Sequence, residues 1–249
     1  MKILKNIILE EITMLEIRNL NAGYFGSKVL QNITLECKEG ITLVVGPNGA
    51  GKTTLVKSIN GILRPVDGKI NFNGTEIHNL SPFLISRLGI STVPERGHVF
   101  SNMTVIDNLR VAFEAIKQNS DFNEFLERIF SIFPDLKEKL NDKSNTLSGG
   151  QQQMLSIARA MATNPKMLIM DEPTTGLFPK LVKELVLKIE EISKNMPILL
   201  TEQNVLDVVP IARQVSIIES GKIVFSGKPE EVMKNPQIKN IYFGYREVE

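Results

Sequence analysis

The chain lacks the means to staple itself or to carry a strong charge. Cys37 is the only cysteine in 249 residues, so no intrachain disulfide can form. It reads instead as a small buried hydrophobe, and such sparse cysteine is compatible with an intracellular setting. A charge excess is missing too: 29 Lys and Arg against 28 Asp and Glu leave +1. That gives no support for nucleic-acid binding through bulk charge. The two histidines, His78 and His98, have no Cys or His partners at metal-ligand spacing. No apolar run approaches the roughly 18–20 residues needed to cross a bilayer. No long heptad run, internal repeat or low-complexity segment is visible. What remains is 42% hydrophobic and 23% charged, enough for one large or two small domains with their own core.

The N-terminus is mildly basic and apolar, MKILKNIIL, but short. Glu10 and Glu11 follow where a signal peptide would carry a small-residue cleavage site. Residues 1–13 therefore read as a poorly ordered extension or a start-site artefact, with Met14 as the start.

Strand signals recur at Met14–Leu20, Val29–Glu36, Ile41–Val45, Lys69–Asn73, Ile90–Val93, Met167–Met170, Ile198–Thr201, Val215–Glu219 and Lys222–Ser226. The runs at 41–45 and 167–170 are continuously apolar, which suits central strands covered on both faces. The early strands, with turns at Gly40 and Gly74, read as antiparallel. The later ones alternate with helical segments, as parallel α/β units do. Between them, Thr104–Met161 is almost purely helical in pattern. Val105, Leu109, Val111–Phe113 and Ile116 fit one helix face; Phe122, Leu126, Ile129, Phe130 and Phe133 fit another, ended by Pro134.

Chemistry is concentrated in three places. Gly46-Pro47-Asn48-Gly49-Ala50-Gly51-Lys52-Thr53 is a G-x-x-x-x-G-K-[ST] loop between the strand 41–45 and a helix that continues through Thr54. A chance match is on the order of one in a hundred for a chain this long, before the correct flanks are counted. The glycines let backbone N–H groups curl towards phosphate oxygens, and the helix N-terminus adds its dipole. Lys52 supplies a charge to the β- and γ-phosphates of a nucleoside triphosphate, and the Thr53 hydroxyl is a ligand for Mg²⁺. Asp171 and Glu172 stand at the exit of the second apolar strand, where α/β sheets bind ligands. Asp171 can hold Mg²⁺, and Glu172 can orient or deprotonate an attacking water. Alone the pair would be a solvated turn; beside the phosphate loop it is a catalytic candidate. Third, Ser148-Gly149-Gly150-Gln151 opens a helix with a serine cap and free N–H groups, a second anion site.

The combination of phosphate loop, Leu147-Ser148-Gly149-Gly150-Gln151, Ile157-Ala158-Arg159-Ala160 and Met170-Asp171-Glu172-Pro173 resembles the ATP-binding cassette family, over Met14 to Gly244. The resemblance implies a P-loop NTPase (RecA-like) α/β core with an antiparallel β subdomain. A helical subdomain at about 97–162 would be inserted in a single ATPase domain, 14–249. It implies that the Ser148–Gln151 element contacts the γ-phosphate on the other subunit, so that two cassettes, alike or different, sandwich two ATP molecules. It also implies an aromatic stacked on adenine, for which Tyr24, about twenty residues before the loop, is the candidate. The alternative for Tyr24 is packing at a strand end.

Three departures point within the family to the smaller ATPase of branched-chain amino acid importers, the LivF type. Glu95 stands where most members have the lid-loop Gln and could still ligate Mg²⁺. Gln203 replaces the switch His, and Phe178 replaces an Asp; the importer branch shares the first two and typically has a small residue at the third. Gln203 can donate a hydrogen bond to the γ-phosphate but cannot become cationic as His can. The segments Arg96–Phe100 with Met103-Thr104, and Asn235–Gly244, also match that branch. Glu95–Asn108, carrying Val99, Phe100 and Met103, then reads as the seat of a helix from a transmembrane permease subunit, with subdomain core as the alternative.

The resemblance places the chain peripherally on the cytoplasmic face of the membrane, working indirectly with an extracytoplasmic solute-binding protein. A soluble cassette ATPase, for example in cluster assembly, or an importer of urea or amides, is the competing reading. A small-molecule kinase or a GTPase would lack Leu147–Gln151, and the guanine motif N-K-x-D is absent.

Overall fold

Alternation along the first strand starts the architecture. Leu15, Ile17, Leu20 and Ala22 are buried, and the odd step from Ile17 to Leu20 is a bulge with Asn19 at φ 50°. The computed structural model describes residues 13–95, 98–115, 121–203 and 206–235. Residues 1–12, Arg96, Ile116, Asn204 and the segment from Pro236 lie outside them.

In chain order the elements are β1 (Leu15–Tyr24), β2 (Ser27–Cys37), β3 (Ile41–Val45), α1 (Lys52–Ile59), β4 (Asp67–Phe72), β5 (Thr75–Glu76), α2 (Pro82–Leu88) and β6 (Ile90–Val93). They continue with α3 (Val105–Glu114), α4 (Phe122–Ile132), α5 (Pro134–Glu138), α6 (Gly149–Met161), β7 (Met167–Asp171) and α7 (Pro179–Ser193). Last come β8 (Ile198–Glu202), β9 (Gln214–Glu219), β10 (Lys222–Gly227) and α8 (Pro229–Lys234).

Two sheets form. One is antiparallel, in the order β2-β1-β4-β5; the other runs β10-β9-β3-β8-β7-β6. Phe25 and Gly26, both at positive φ, make the two-residue turn between β1 and β2. The Gly40 turn does not make a hairpin, contrary to the sequence reading. It carries the chain from β2 into β3, which pairs in parallel with β8 and β9. The final unit also departs from the parallel expectation, because β10 folds back antiparallel on β9. With only Ser220-Gly221 between them, no crossover is long enough for a parallel return.

Period-two burial divides the core. Ile41, Leu43 and Val45 of β3, Leu168 and Met170 of β7, and Ile198 and Leu200 of β8 face α6 and α7. Val44, Ile169 and Leu199 face the other way, onto α1 and the first sheet. The helices between β6 and β7 join the first of these clusters through Val105, Leu109, Phe125, Ile129 and Phe133. Phe113, Phe122 and Phe125 pack with ring centroids 5.2–6.0 Å apart. Phe125 is buried although it lies off the face assigned by periodicity, and Val111 is exposed. Pro134 ends α4 and also opens α5, since its fixed φ and missing N–H suit a first helical position. Cys37 is buried as expected, and burial pushes its thiol up to about 12, leaving it inert.

Candidate nucleotide site

Two different constraints shape the loop after β3. Gly51 caps α1 at φ 111°, a conformation open to glycine but strained for other residues. A Cβ on Gly46 would lie 2.4 Å from the carbonyl of Ile218. The loop is held by Gly46 N–H on the Glu202 carbonyl (3.2 Å) and by Gly221 N–H on the Ala50 carbonyl (3.0 Å). Gly51 offers α1 no side-chain cap, so the first N–H groups of the helix face the loop.

Lys52 is 3% exposed. Its Nζ donates to the carbonyls of Gly46 (2.6 Å) and Pro47 (2.9 Å) and pairs with Glu172 Oε1 at 3.0 Å. Glu172 follows β7 at φ 47°, a left-handed conformation costing about 1–2 kcal/mol for a residue with a Cβ. The surroundings enforce it. Glu172 N–H reaches the carbonyl and hydroxyl of Thr201 (3.0 and 3.2 Å), and Oε2 accepts from the Thr175 hydroxyl at 3.1 Å. Asp171 accepts from the Thr201 hydroxyl at 2.6 Å. Burial raises the Asp171 carboxyl above its ordinary value, hydrogen bonds from Thr201 and Thr53 draw it back, and Glu172 and Glu95 raise it further.

Asn48, Gly49, Gly51, Lys52, Thr53, Thr54, Glu95, Glu172 and Gln203 line one cavity of about 460 Å³ with Val29 and Thr175. Asp171 lines the adjoining cavity with Thr53 and Glu95. The donors at this junction are a hydroxyl and carboxylates, the hard oxygen set that suits Mg²⁺. Among the described residues no group of three or more His, Cys, Asp or Glu is arranged for a metal, so such an ion would draw its other ligands from phosphate and water.

Other expected residues stand apart. Pro47 contributes only its carbonyl, and Ala50 packs into the core beneath the loop. Tyr24 is half exposed at the end of β1, 5.8 Å from Lys57 Nζ, and does not line the cavity. Ser148–Gln151 do not line it either. Ser148 Oγ accepts from Gln151 N–H (3.3 Å) and Gln151 Oε1 accepts from Ser148 N–H (3.1 Å), a reciprocal capping box. The Gln151 side chain is thus engaged at the cap. In the Glu95–Asn108 stretch, Phe100 and Met103 are exposed, whereas Val105 and Asn108 are buried and Val99 packs on the core. Arg159 of α6 holds this stretch, donating to the His98 carbonyl at 2.5 Å and lying 4.3 Å over the Phe100 ring.

Sequence reading passed over Glu202. It ends β8, is 1% exposed, and its Oε1 accepts from Thr174 N–H at 3.0 Å. A glutamate ending the apolar strand, directly before the candidate Gln203, was the signal available. Burial pushes its carboxyl up to about 7; hydrogen bonds from Thr174 and from the Gln203 backbone oppose this, and Glu172 adds to it. The folded state therefore holds this proton more tightly than the unfolded chain. Its contribution to stability is complete below the ordinary value near 4.5 and is lost as pH rises through about 7. Glu202→Gln is expected to remove about 1–3 kcal/mol of the fall in unfolding free energy between pH 5 and 8. Urea titrations across that range check it; equal pH dependence in both proteins would exclude the effect.

The ABC transporter family model matches residues 30–175. The probable branched-chain amino acid transport ATP-binding protein LivF of Archaeoglobus fulgidus is 35% identical over 93% of this chain and 99% of its own length. The high-affinity branched-chain amino acid transport ATP-binding protein BraG of Pseudomonas aeruginosa is 33% identical over 93% and 100%. The lipopolysaccharide export system ATP-binding protein LptB of Haemophilus influenzae is 31% identical over 94% and 98%. A solved ATP-binding cassette of an ABC transporter in its ADP conformation superposes with a TM-score of 0.81. It is 28% identical, across 94% of this chain and 100% of that one.

Proposed function

The chain belongs to the ABC transporter family and hydrolyses ATP, and from that premise we propose that it drives solute import through separate permease subunits, with branched-chain amino acids as the solute. The near full-length similarity to LivF and BraG carries this reading, together with Glu95 and Gln203 at the cavity wall. The ATPase does not touch the solute in this scheme, which fits a comparable similarity to an exporter subunit.

Residues 46–54 hold the triphosphate, with Lys52 on the β- and γ-phosphates. Thr53, Asp171 and Glu95 hold Mg²⁺, which neutralises phosphate charge. Glu172 takes the proton of the attacking water, and Gln203 donates to the γ-phosphate. Ser148–Gln151, which do not line this chain's own cavity, serve the nucleotide of a second cassette, and Tyr24 stacks on adenine. No described helix is long and apolar enough to cross a membrane; the likeness to transport ATP-binding proteins supports a peripheral working position on the cytoplasmic face. Phe100 and Met103 dock the permease.

Affinity capture of the tagged chain from detergent-extracted membranes is expected to recover two polytopic proteins. The solute-binding protein that works with them is expected to bind leucine, isoleucine or valine. Recovery of soluble proteins alone would favour a cluster-assembly type ATPase, and a urea- or amide-binding receptor would reassign the solute.

A further inference from the structure

We infer that Glu202 is a positioning residue for hydrolysis: its buried carboxylate anchors the turn 172–175 and so aims the Glu172 carboxylate. The inference rests on the reading of Glu172 as the general base.

One hydrogen bond defines the anchor: Glu202 Oε1 takes the Thr174 N–H at 3.0 Å, at a site where Glu202 is 1% exposed. Thr174 is itself 6% exposed, and its carbonyl accepts from Leu177 N–H at 3.2 Å, so the anchored residue organises the chain leading to Phe178. Thr175 then returns to Glu172 twice, by its N–H on the Glu172 carbonyl (3.2 Å) and by its hydroxyl on Oε2 (3.1 Å).

Glu172 needs such restraint because its backbone sits at φ 47°, a conformation that persists only where neighbours over-determine it. Thr201 holds it from one side, its hydroxyl and carbonyl accepting the Glu172 N–H. The next residue in β8, Glu202, grips the turn from the other. Successive strand residues point to opposite sides, which lets one strand end hold both halves of the turn. The adjacent Gln203 lines the nucleotide cavity, so a movement of Gln203 on the γ-phosphate would be passed through Glu202 to the turn that carries the base. The role requires acceptor oxygen at this depth rather than negative charge, since the contact made is with a neutral backbone N–H.

The test compares Glu202→Leu and Glu202→Gln in the full chain, in the assembly that hydrolyses ATP. Glu202→Leu is expected to lower kcat about 10- to 100-fold, the scale of a small misplacement of a reacting group, while KM for ATP changes less than about threefold. Glu202→Gln keeps an acceptor and is expected to restore kcat to within about threefold of wild type. Amide hydrogen exchange at Thr174, read without ATP, is expected to speed up in the Leu variant and not in the Gln variant. Unchanged kcat and exchange in the Leu variant would overturn the anchor, as would equal losses of kcat in both variants. Faster Thr174 exchange with unchanged kcat would overturn the positioning role and leave the reading of Glu172 as base, tested by Glu172→Gln, standing. If the Leu variant does not fold, Glu202→Met, of similar length and without an oxygen acceptor, takes its place, and full retention of kcat there overturns the proposal.

Discussion

Glu172→Gln lowers steady-state ATP hydrolysis by about 10²- to 10⁴-fold, the usual worth of a positioned proton acceptor, and leaves ATP binding intact. The two side chains have the same shape, and the Gln oxygen still accepts from the Thr175 hydroxyl. What disappears is the negative charge that takes a proton from water. The ion pair to Lys52 disappears with it. A triphosphate in the loop competes with Glu172 for that lysine, so the variant's affinity for ATP is expected to equal or exceed that of the wild type. Coupled measurement of ADP release and equilibrium ATP binding, made on the assembled transporter, separate the two effects. Turnover at the wild-type rate would remove Glu172 from the role of base. Gln203→Ala is expected to reduce turnover far less, because Gln203 donates one neutral hydrogen bond.

The second large effect is on binding. Lys52→Ala is expected to weaken ATP affinity by about 100-fold or more, since charge-assisted hydrogen bonds contribute about 1.5–3 kcal/mol each and Lys52 can make two to the phosphates. It should also destabilise the protein before any ligand is added. Glu172 is 7% exposed and would lose its cation. The carbonyls of Gly46 and Pro47 would lose their donor as well. Removing one partner of a fully buried pair costs about 3–5 kcal/mol, and the partial exposure of Glu172 places this case at or below the lower end. A Lys52→Met, Glu172→Gln double variant should recover part of the stability and none of the affinity. Failure to recover any stability would show that the pair itself contributes nothing to the fold.

Legibility differed by residue. Lys52, Thr53, Asp171 and Glu172 were readable because each belongs to a short, contiguous motif with its own strand or helix attached. The cavity does gather Lys52, Thr53, Glu95, Glu172 and Gln203 although 150 residues lie between the first and the last. Gln151 was readable only as part of the signature; its capping-box bond to Ser148 depends on where the α6 N-terminus begins. Phe125 was missed because periodicity marks a face, whereas its burial depends on Phe113 of the neighbouring helix. Glu202 was passed over because its partner, Thr174, is distant in the chain and meets it only through the parallel pairing of β7 with β8.

The amino-acid sequence alone determined the phosphate loop, the acidic strand end, the central strands and the family, since these rest on local patterns of residue type. Tertiary structure alone decided that β3 leaves the antiparallel sheet for the parallel one and that β10 turns back on β9. It also put Tyr24 outside the cavity and set a buried carboxyl at Glu202 against the turn of Glu172. Strand partners and buried contacts are chosen by packing between distant segments, and no window of neighbouring residues contains that choice.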